Sequence, residues 1–309
     1  MTANSDIHYM RHALAVARRG LGRMGSVRPS VGCVLVKDGR VRAAARTGDG
    51  GAPHAESAAL AAAGEDAQDT TAYVTLEPCA HHGRTPPCAK ALVDAGIARC
   101  VIGALDPFEK VNGKGVEMLR AGGVAVDLGV LEEECRAANQ GFFLAVRENR
   151  PFVTLKCAVS ADGKIAAAPG ERTQITGELA HRYLHHLRSF YDAILVGKTT
   201  MEVDQPQLTT RIEGYVHEAQ RIVLDRPVQE MLEDLAARGI TRLLVEGGAK
   251  THTSFLESGL YDEVILLKSP KVLGEGGVDA ADFSNLKGLK SQKTRALGED
   301  LLAIYGCSA

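Results

Sequence analysis

The sequence predicts a two-domain protein of the α/β class, and three observations lead there. Its 309 residues, 45% of them hydrophobic, are enough to bury two separate cores. Short apolar runs of strand length alternate with segments of helical period through both halves, the pattern of strands layered with helices. Between the halves lies Glu148-Asn149-Arg150-Pro151, a polar, proline-marked stretch that reads as a linker. The expected domains are therefore 1–147 and 151–309.

Ile7, Met10, Leu14 and Ala17 recur at helical spacing before Gly20, which predicts an opening amphipathic helix with a glycine stop. Val31 to Val36 then reads as a strand, Lys37-Asp38-Gly39 as a turn, and Val41 to Ala45 as the returning strand. After His54 the expected order is helix (Ala55 to Ala63), strand (Ala72 to Leu76), loop, helix (Ala89 to Ala95) and strand (Arg99 to Ala104). A helix (Gly115 to Ala121), a strand (Val124 to Leu128) and a helix ending near Arg147 complete the first half. In the second, strands are expected at Phe152 to Ala158, Ala193 to Val196, Arg221 to Leu224, Leu243 to Val245 and Glu263 to Leu267. Helices are expected over Leu179 to Ser189 and around Val228, Met231, Leu232 and Leu235. No internal repeat or low-complexity tract interrupts the pattern.

Charge and composition narrow the function. A formal net charge of −2 without a long basic run lacks the footprint of a protein that tracks phosphates of nucleic acid, and 5% aromatic content offers little for base stacking. A small-molecule partner is favoured. No apolar stretch approaches the roughly 18 residues of a membrane span, and the polar start, Met1 to Asp6, is unlike a secretory leader. A cytoplasmic enzyme, working as a homo-oligomer, is the expectation. Seven cysteines, an odd number, argue against a disulfide framework. Cys33, Cys100 and Cys157 lie in apolar, strand-like runs and read as buried small hydrophobes.

Cys79 and Cys88 stand apart. His54-Ala55-Glu56 opens a helix, while Pro78-Cys79 and Cys88 bracket a loop between a strand and the next helix. One imidazole and two thiolates make a three-ligand zinc set whose fourth tetrahedral position stays open for water, the catalytic pattern and not the structural one. Glu56, two residues past His54, can face that position as the general acid and base without being a ligand. This H-x-E plus P-C-x-x-C logic is that of zinc nucleobase deaminases, here with eight residues between the cysteines. Pro86-Pro87 keep the insert out of a helix. The competing arrangement is a closed structural zinc with His81 or His82 as fourth ligand. His185-His186 read as surface residues.

The run Thr75-Leu76-Glu77-Pro78-Cys79-Ala80-His81-His82-Gly83-Arg84-Thr85-Pro86-Pro87-Cys88 resembles the signature of the bifunctional riboflavin-biosynthesis deaminase/reductase (RibD) family. Pro151-Phe152-Val153-Thr154-Leu155-Lys156, Ser160-Ala161-Asp162-Gly163-Lys164, Asp192-Ala193-Ile194-Leu195-Val196-Gly197, Asp204-Gln205-Pro206-Gln207-Leu208-Thr209 and Val245-Glu246-Gly247-Gly248 resemble its reductase motifs in order. The resemblance implies a cytidine-deaminase-like α/β/α three-layer domain followed by a dihydrofolate-reductase-like α/β domain. It implies zinc-dependent removal of the amino group of a diaminopyrimidinone ribosylamine phosphate, then NADPH-dependent reduction of the ribosyl to a ribityl chain. Carried over by motif, Val159, Thr200, Asp204 and the segment from Gly248 to Ser254 lie along the nucleotide cofactor. Leu208, Arg211 and Glu246 face the phosphosugar, with Lys156 nearby.

The chain also departs from the family. Arg28-Pro29 stands for a usual Asn-Pro, Thr47 for a histidine, Asp106-Pro107-Phe108-Glu109 for Asp-Pro-Asn-Pro, and Gln174 for a tryptophan. Between Val223-Leu224-Asp225 and the helix near Val228 the family carries a strand, a helix and a further strand that are missing here. These departures keep two other readings open beside the family activity. One is a paralogue that deaminates a related pyrimidine, in a pathway making a flavin-like or pyrimidotriazine compound, with a silent reductase domain. The other is a zinc-stabilised binding protein without turnover.

Overall fold

The computed structural model describes residues 3–81, 86–108, 112–204, 206–215, 217–286 and 288–307, and of Val203 and Asp204 the backbone only. The chain divides into two compact units, Met1–Glu148 and Asn149–Ala309, each with its own core. No helix among the described residues is long and apolar enough to cross a membrane.

In the first unit α1 (Ala3–Arg18) leads to β1 (Gly32–Lys37) and β2 (Arg40–Arg46), then α2 (Ala55–Ala63), β3 (Thr71–Leu76), α3 (Cys88–Asp94) and β4 (Arg99–Ala104). α4 (Lys114–Ala121), β5 (Ala125–Leu128), α5 (Glu132–Ala138) and α6 (Gln140–Glu148) follow. The sheet order is β2-β1-β3-β4-β5, with β1 antiparallel to both neighbours and β3, β4 and β5 parallel. Helical spacing places Met10, Ala13, Leu14 and Ala17 of α1 on the buried face, and β3, Thr-Ala-Tyr-Val-Thr-Leu, is buried along its whole length. Its Tyr73 donates to Asp6, which also takes a bidentate pair from Arg99. Because β3 and β4 are parallel, their C-terminal ends and the starts of the following helices fall on one edge, where open α/β sheets place ligands.

The second unit begins with β6 (Phe152–Val159), β7 (Lys164–Ala166), α7 (Glu178–Arg188), β8 (Ala193–Gly197), α8 (Lys198–Asp204) and β9 (Gln220–Leu224). It continues through α9 (Val228–Ala237), β10 (Arg242–Val245), α10 (Ala249–Ser258) and β11 (Glu263–Lys268). β12 (Val278–Asp279) pairs with β7, and the hairpin of β13 (Lys290–Leu297) and β14 (Asp300–Gly306) closes the chain. The main sheet runs β13-β14-β11-β6-β10-β8-β9, parallel from β11 to β9 and antiparallel at the hairpin. β9 ends the sheet, and only Asp225-Arg226-Pro227 separate it from α9. β13 is exposed almost throughout, with Lys290, Lys293 and Arg295 along it, the charged composition that keeps a free sheet edge from pairing with other chains.

Candidate functional site

His54 is the N-cap of α2 and Cys88 is the first residue of α3, so both donors sit where unpaired backbone N–H groups and the helix dipole favour negative charge. Cys79 lies beyond the C-terminal end of β3. Its sulfur accepts the backbone N–H of Cys88 at 3.3 Å, and its carbonyl accepts that of Ala89 at 3.1 Å. Nδ1 of His54 stands 3.2 Å from Sγ of Cys88 and 3.6 Å from Sγ of Cys79, and the three donor atoms all lie within 4.8 Å of one another. Zinc–sulfur and zinc–nitrogen bonds of about 2.3 and 2.0 Å give tetrahedral edges of about 3.5 Å, so this donor set fits zinc in both chemistry and size. His81 is not in the cluster, and His82 lies outside the described residues.

The thiols share charge unequally. Cys79 is held down to about 4, first by the hydrogen bond with the Cys88 thiol; Cys88 is held up, first by that same bond and then by burial. Glu56, in the first turn of α2, is 3% exposed, and burial above all pushes its carboxyl up to about 7. A cavity of about 330 Å³ opens onto these groups, lined by His54, Glu56, Cys79, Asp106, Arg28, Phe108 and Phe142 among others. Burial also raises the carboxyl of Asp106.

Sequence reading missed Glu77, which shapes one wall of this cavity. Its buried carboxylate accepts backbone N–H groups from Asp106 (3.3 Å), Gly113 (3.0 Å), Gly115 (2.9 Å) and Val116 (3.4 Å). It thereby pins the β4–α4 connection, which carries Asp106 and Phe108, against the end of β3. The only sequence signal was a carboxylate next to Pro78-Cys79 in an otherwise buried stretch. Thr47, which stands where the family has a histidine, is 3% exposed and its hydroxyl accepts the Val31 N–H at 2.9 Å.

In the second unit the candidates divide between three cavities. Lys156, Thr200, Glu246 and Gly248 line one at the C-terminal ends of β6, β8 and β10, together with Gln174 and His181. Leu208 and Arg211 line a second, with Arg172, His181, His185 and Arg188. Val159 lines a third, beside Lys268 and Phe283. The Asp204 side chain lies outside the described residues.

Glu246 proves to be half of a buried ion pair, which the sequence did not reveal. Arg188 donates to both its oxygens at 2.7 and 3.0 Å, and Lys156 Nζ stands 3.9 Å away. Burial alone would raise the Glu246 carboxyl, but the bonds from Arg188 and the charges of Lys156 and Arg188 outweigh it and hold the carboxyl low. His185, expected at the surface, is half-buried: Nδ1 lies 3.2 Å from the Arg211 N–H and 3.0 Å from the Thr209 carbonyl, because α7 turns that face toward the 207–211 loop; His186 is exposed as expected. At Gly247 a Cβ would sit 2.4 Å from Cβ of Thr251, so this glycine serves the close passage of α10, whose N-cap is Gly248.

Residues 3–104 match the family model described as the cytidine and deoxycytidylate deaminase zinc-binding region, and residues 151–230 and 227–303 match the RibD C-terminal domain. Over 356 aligned positions the chain is 36% identical to the riboflavin biosynthesis protein RibD of Aquifex aeolicus, covering 99% of each chain. To RibD of Escherichia coli it is 35% identical, covering 92% of each. The chain belongs to the RibD family. Among solved structures, Acinetobacter baumannii RibD superposes with a TM-score of 0.88 at 33% identity, covering 100% of both chains. The Thermotoga maritima protein described as a diaminohydroxyphosphoribosylaminopyrimidine deaminase/5-amino-6-(5-phosphoribosylamino)uracil reductase does so with 0.87 at 34% identity and 99% coverage of both. The first unit is thus of the zinc-binding deaminase type and the second of the RibD reductase type, and the two domain types imply Zn2+ and NADPH as cofactors.

Proposed function

We propose that this chain deaminates a diaminopyrimidinone ribosylamine phosphate of the riboflavin pathway, and that its second unit reduces the ribosyl group of the product with NADPH. The observation that carries the reading is the His54, Cys79 and Cys88 donor set with buried Glu56 beside it at the floor of one cavity. His54 and the two cysteines hold the zinc, which when bound supplies the Lewis acidity that makes water nucleophilic near neutral pH. Glu56 takes one proton from the attacking water and passes it to the ring nitrogen; it then takes the remaining hydroxyl proton and passes it to the amino group, so that the C–N bond breaks, the carbonyl forms and ammonia leaves. Asp106, fixed through the Glu77 clasp, is placed to accept hydrogen bonds from the ring's amino groups.

In the second unit Thr200, Asp204 and Gly248 hold the dinucleotide, and the N-terminus of α10 favours its phosphates. NADPH supplies the hydride when bound. Lys156, Glu246, Leu208 and Arg211 hold the phosphosugar; Val159, assigned to the cofactor by the family resemblance, ends β6 and lines a separate cavity with Lys268 and Phe283. Intact Glu56 distinguishes this from a zinc-stabilised binding protein, which has no use for a proton shuttle at an open ligand position. The test is incubation of the purified protein with the riboflavin-pathway pyrimidine, with and without NADPH, following ammonia, NADPH absorbance and product mass together. Ammonia release on the first substrate supports the deaminase reading, and no mass change with either cofactor condition overturns it.

A further inference from the structure

The first two cavities of the second unit share a border made by Arg172, His181 and Leu184. Thr200, Gly248, Lys156 and Glu246 line the cavity on one side of it, and Arg211 lines the cavity on the other. A phosphosugar held by Lys156 and Glu246 at one end and by Arg211 at the other has to pass this border. Leu184 is apolar, and Arg172 keeps its proton at any physiological pH. His181 is the border residue that can give one up near neutrality.

His181 lies in the first turn of α7, where its backbone N–H bonds the Gly177 carbonyl at 3.1 Å and the residue stays exposed. Among the described residues its ring makes no hydrogen bond or ion pair; it stands edge-on to His185 with centroids 6.2 Å apart. The other titratable groups nearby are engaged. Arg188 donates to both oxygens of Glu246, Lys156 stands 3.9 Å from the same carboxylate, and Nδ1 of His185 lies between the Thr209 carbonyl and the Arg211 N–H. Four cations face the His181 ring: Lys156 of β6, Arg188 of α7, Arg172 of the 167–177 segment and Arg211 of the 207–211 loop. Partial burial first, and then these four charges, hold its pKa below the usual histidine value. A bound phosphate cancels part of this field and so favours the protonated ring.

We propose that His181 is the general acid of the reductase step, giving its proton to the ribose ring oxygen as the sugar opens. This rests on the reductase reading above. The C1′–O4′ bond breaks with its electrons on O4′, O4′ takes the proton of the imidazolium, and the lone pair of the glycosidic nitrogen closes a C1′=N double bond. Hydride, supplied by NADPH when bound, adds to C1′ and the π electrons return to nitrogen, so the ribityl product has gained one proton and one hydride. The imidazole recovers its proton from solvent. Because the phosphate of the substrate is what favours the imidazolium, the acid is armed only when the right sugar is in place.

The experiment compares wild type with His181→Gln and His181→Ala on the deaminated phosphoribosylaminopyrimidine, reading NADPH oxidation across pH, and follows the His181 imidazole by NMR as ribose 5-phosphate is added. Both variants are expected to lose about 100-fold in kcat with KM little changed, and to lose the fall in wild-type kcat above the pKa of the imidazole. Ribose 5-phosphate is expected to raise that pKa. Glutamine keeps a hydrogen-bonding side chain but cannot titrate, so a role in contact or structure alone would leave its kcat near wild type. Retained kcat in His181→Gln, or a rise in KM alone, overturns the assignment while wild-type turnover keeps the reductase reading standing. A His181 pKa that ribose 5-phosphate leaves in place overturns it as well. If wild type oxidises no NADPH, the reductase reading itself fails and the acid falls with it. Circular dichroism and thermal unfolding report that the variants are folded.

Discussion

The two units place their chemistry differently. In the first, the donors and the shuttle come from two short segments, 54–56 and 79–88, each at the start of a helix or the end of a strand, and the parallel pair β3 and β4 brings them to one edge. In the second, the polar groups come from β6, α7, the 207–211 loop and the turn after β10, joined by ion pairs such as Arg188–Glu246 across 58 positions of sequence. A site made of local motifs survives as long as its motifs do. A site assembled from distant charges depends on every element between them, and it is the second unit whose match to its family model comes in two pieces, 151–230 and 227–303.

The sharpest way to break this comparison is to remove a donor from the first unit. Cys88→Ser is expected to reduce zinc from about one ion per chain to a small fraction, to abolish ammonia release, and to lower the unfolding temperature of the first unit, because metal binding is coupled to folding. Metal analysis with calorimetric unfolding decides it. Full zinc content in this variant would show that a residue of the 82–85 segment takes over.

Glu56→Gln separates chemistry from construction in the same unit. Zinc and fold should be kept, while ammonia release falls by roughly two to four decades for the loss of one general acid-base group. Activity near wild type would move the shuttle elsewhere, with His82 the first residue to test.

For the second unit the matching test is Arg188→Ala. It leaves Glu246, 7% exposed in its side chain, buried with only Lys156 near, and is expected to destabilise that unit by about 3 kcal/mol in denaturant unfolding. The pH profile gives the sign. Because the Glu246 carboxyl is held below its ordinary value of 4.5, its contribution is fully present above that value and is lost as pH falls through the lower folded value. In Arg188→Ala burial dominates, the folded carboxyl rises, and the same group then destabilises the unit as pH increases. A profile of unchanged sign would mean that Lys156 alone satisfies Glu246.

These contrasts also explain what could be read from the sequence. The opening helix, the hairpin of β1 and β2 and most core strands announced themselves by periodicity, since each buries one regular face. α10, Ala-Lys-Thr-His-Thr-Ser-Phe-Leu-Glu-Ser, did not: its β-branched threonines and buried His252 obscure the apolar stripe. β13 carries seven exposed positions out of eight, so no alternation marks it. The cysteines and His54 stood out by residue type and spacing, whereas Glu77 and Arg188 act on partners far along the chain, a relation that spacing does not encode.

The smallest expected effect concerns the cofactor of the second unit. Retained Lys156, Arg211, Glu246 and Gly248 line cavities at the sheet ends, so the phosphosugar side is furnished. On the other side, β9 is the last strand of its sheet and passes through three residues into α9, the point at which the sequence reading expects a shortening. The family model accordingly matches in two pieces that meet at 227–230, and 356 aligned positions span a chain of 309 residues. Binding a long, flexible dinucleotide requires enough buried contact to offset the freedom it loses. If the expected shortening removes part of the cofactor wall, NADPH affinity falls about tenfold below that of relatives such as the Escherichia coli protein, a difference of about 1.4 kcal/mol. Side-by-side calorimetric titration measures it. Equal affinity would show that the remaining loops rebuild the wall, and the second unit would then be as self-sufficient as the first.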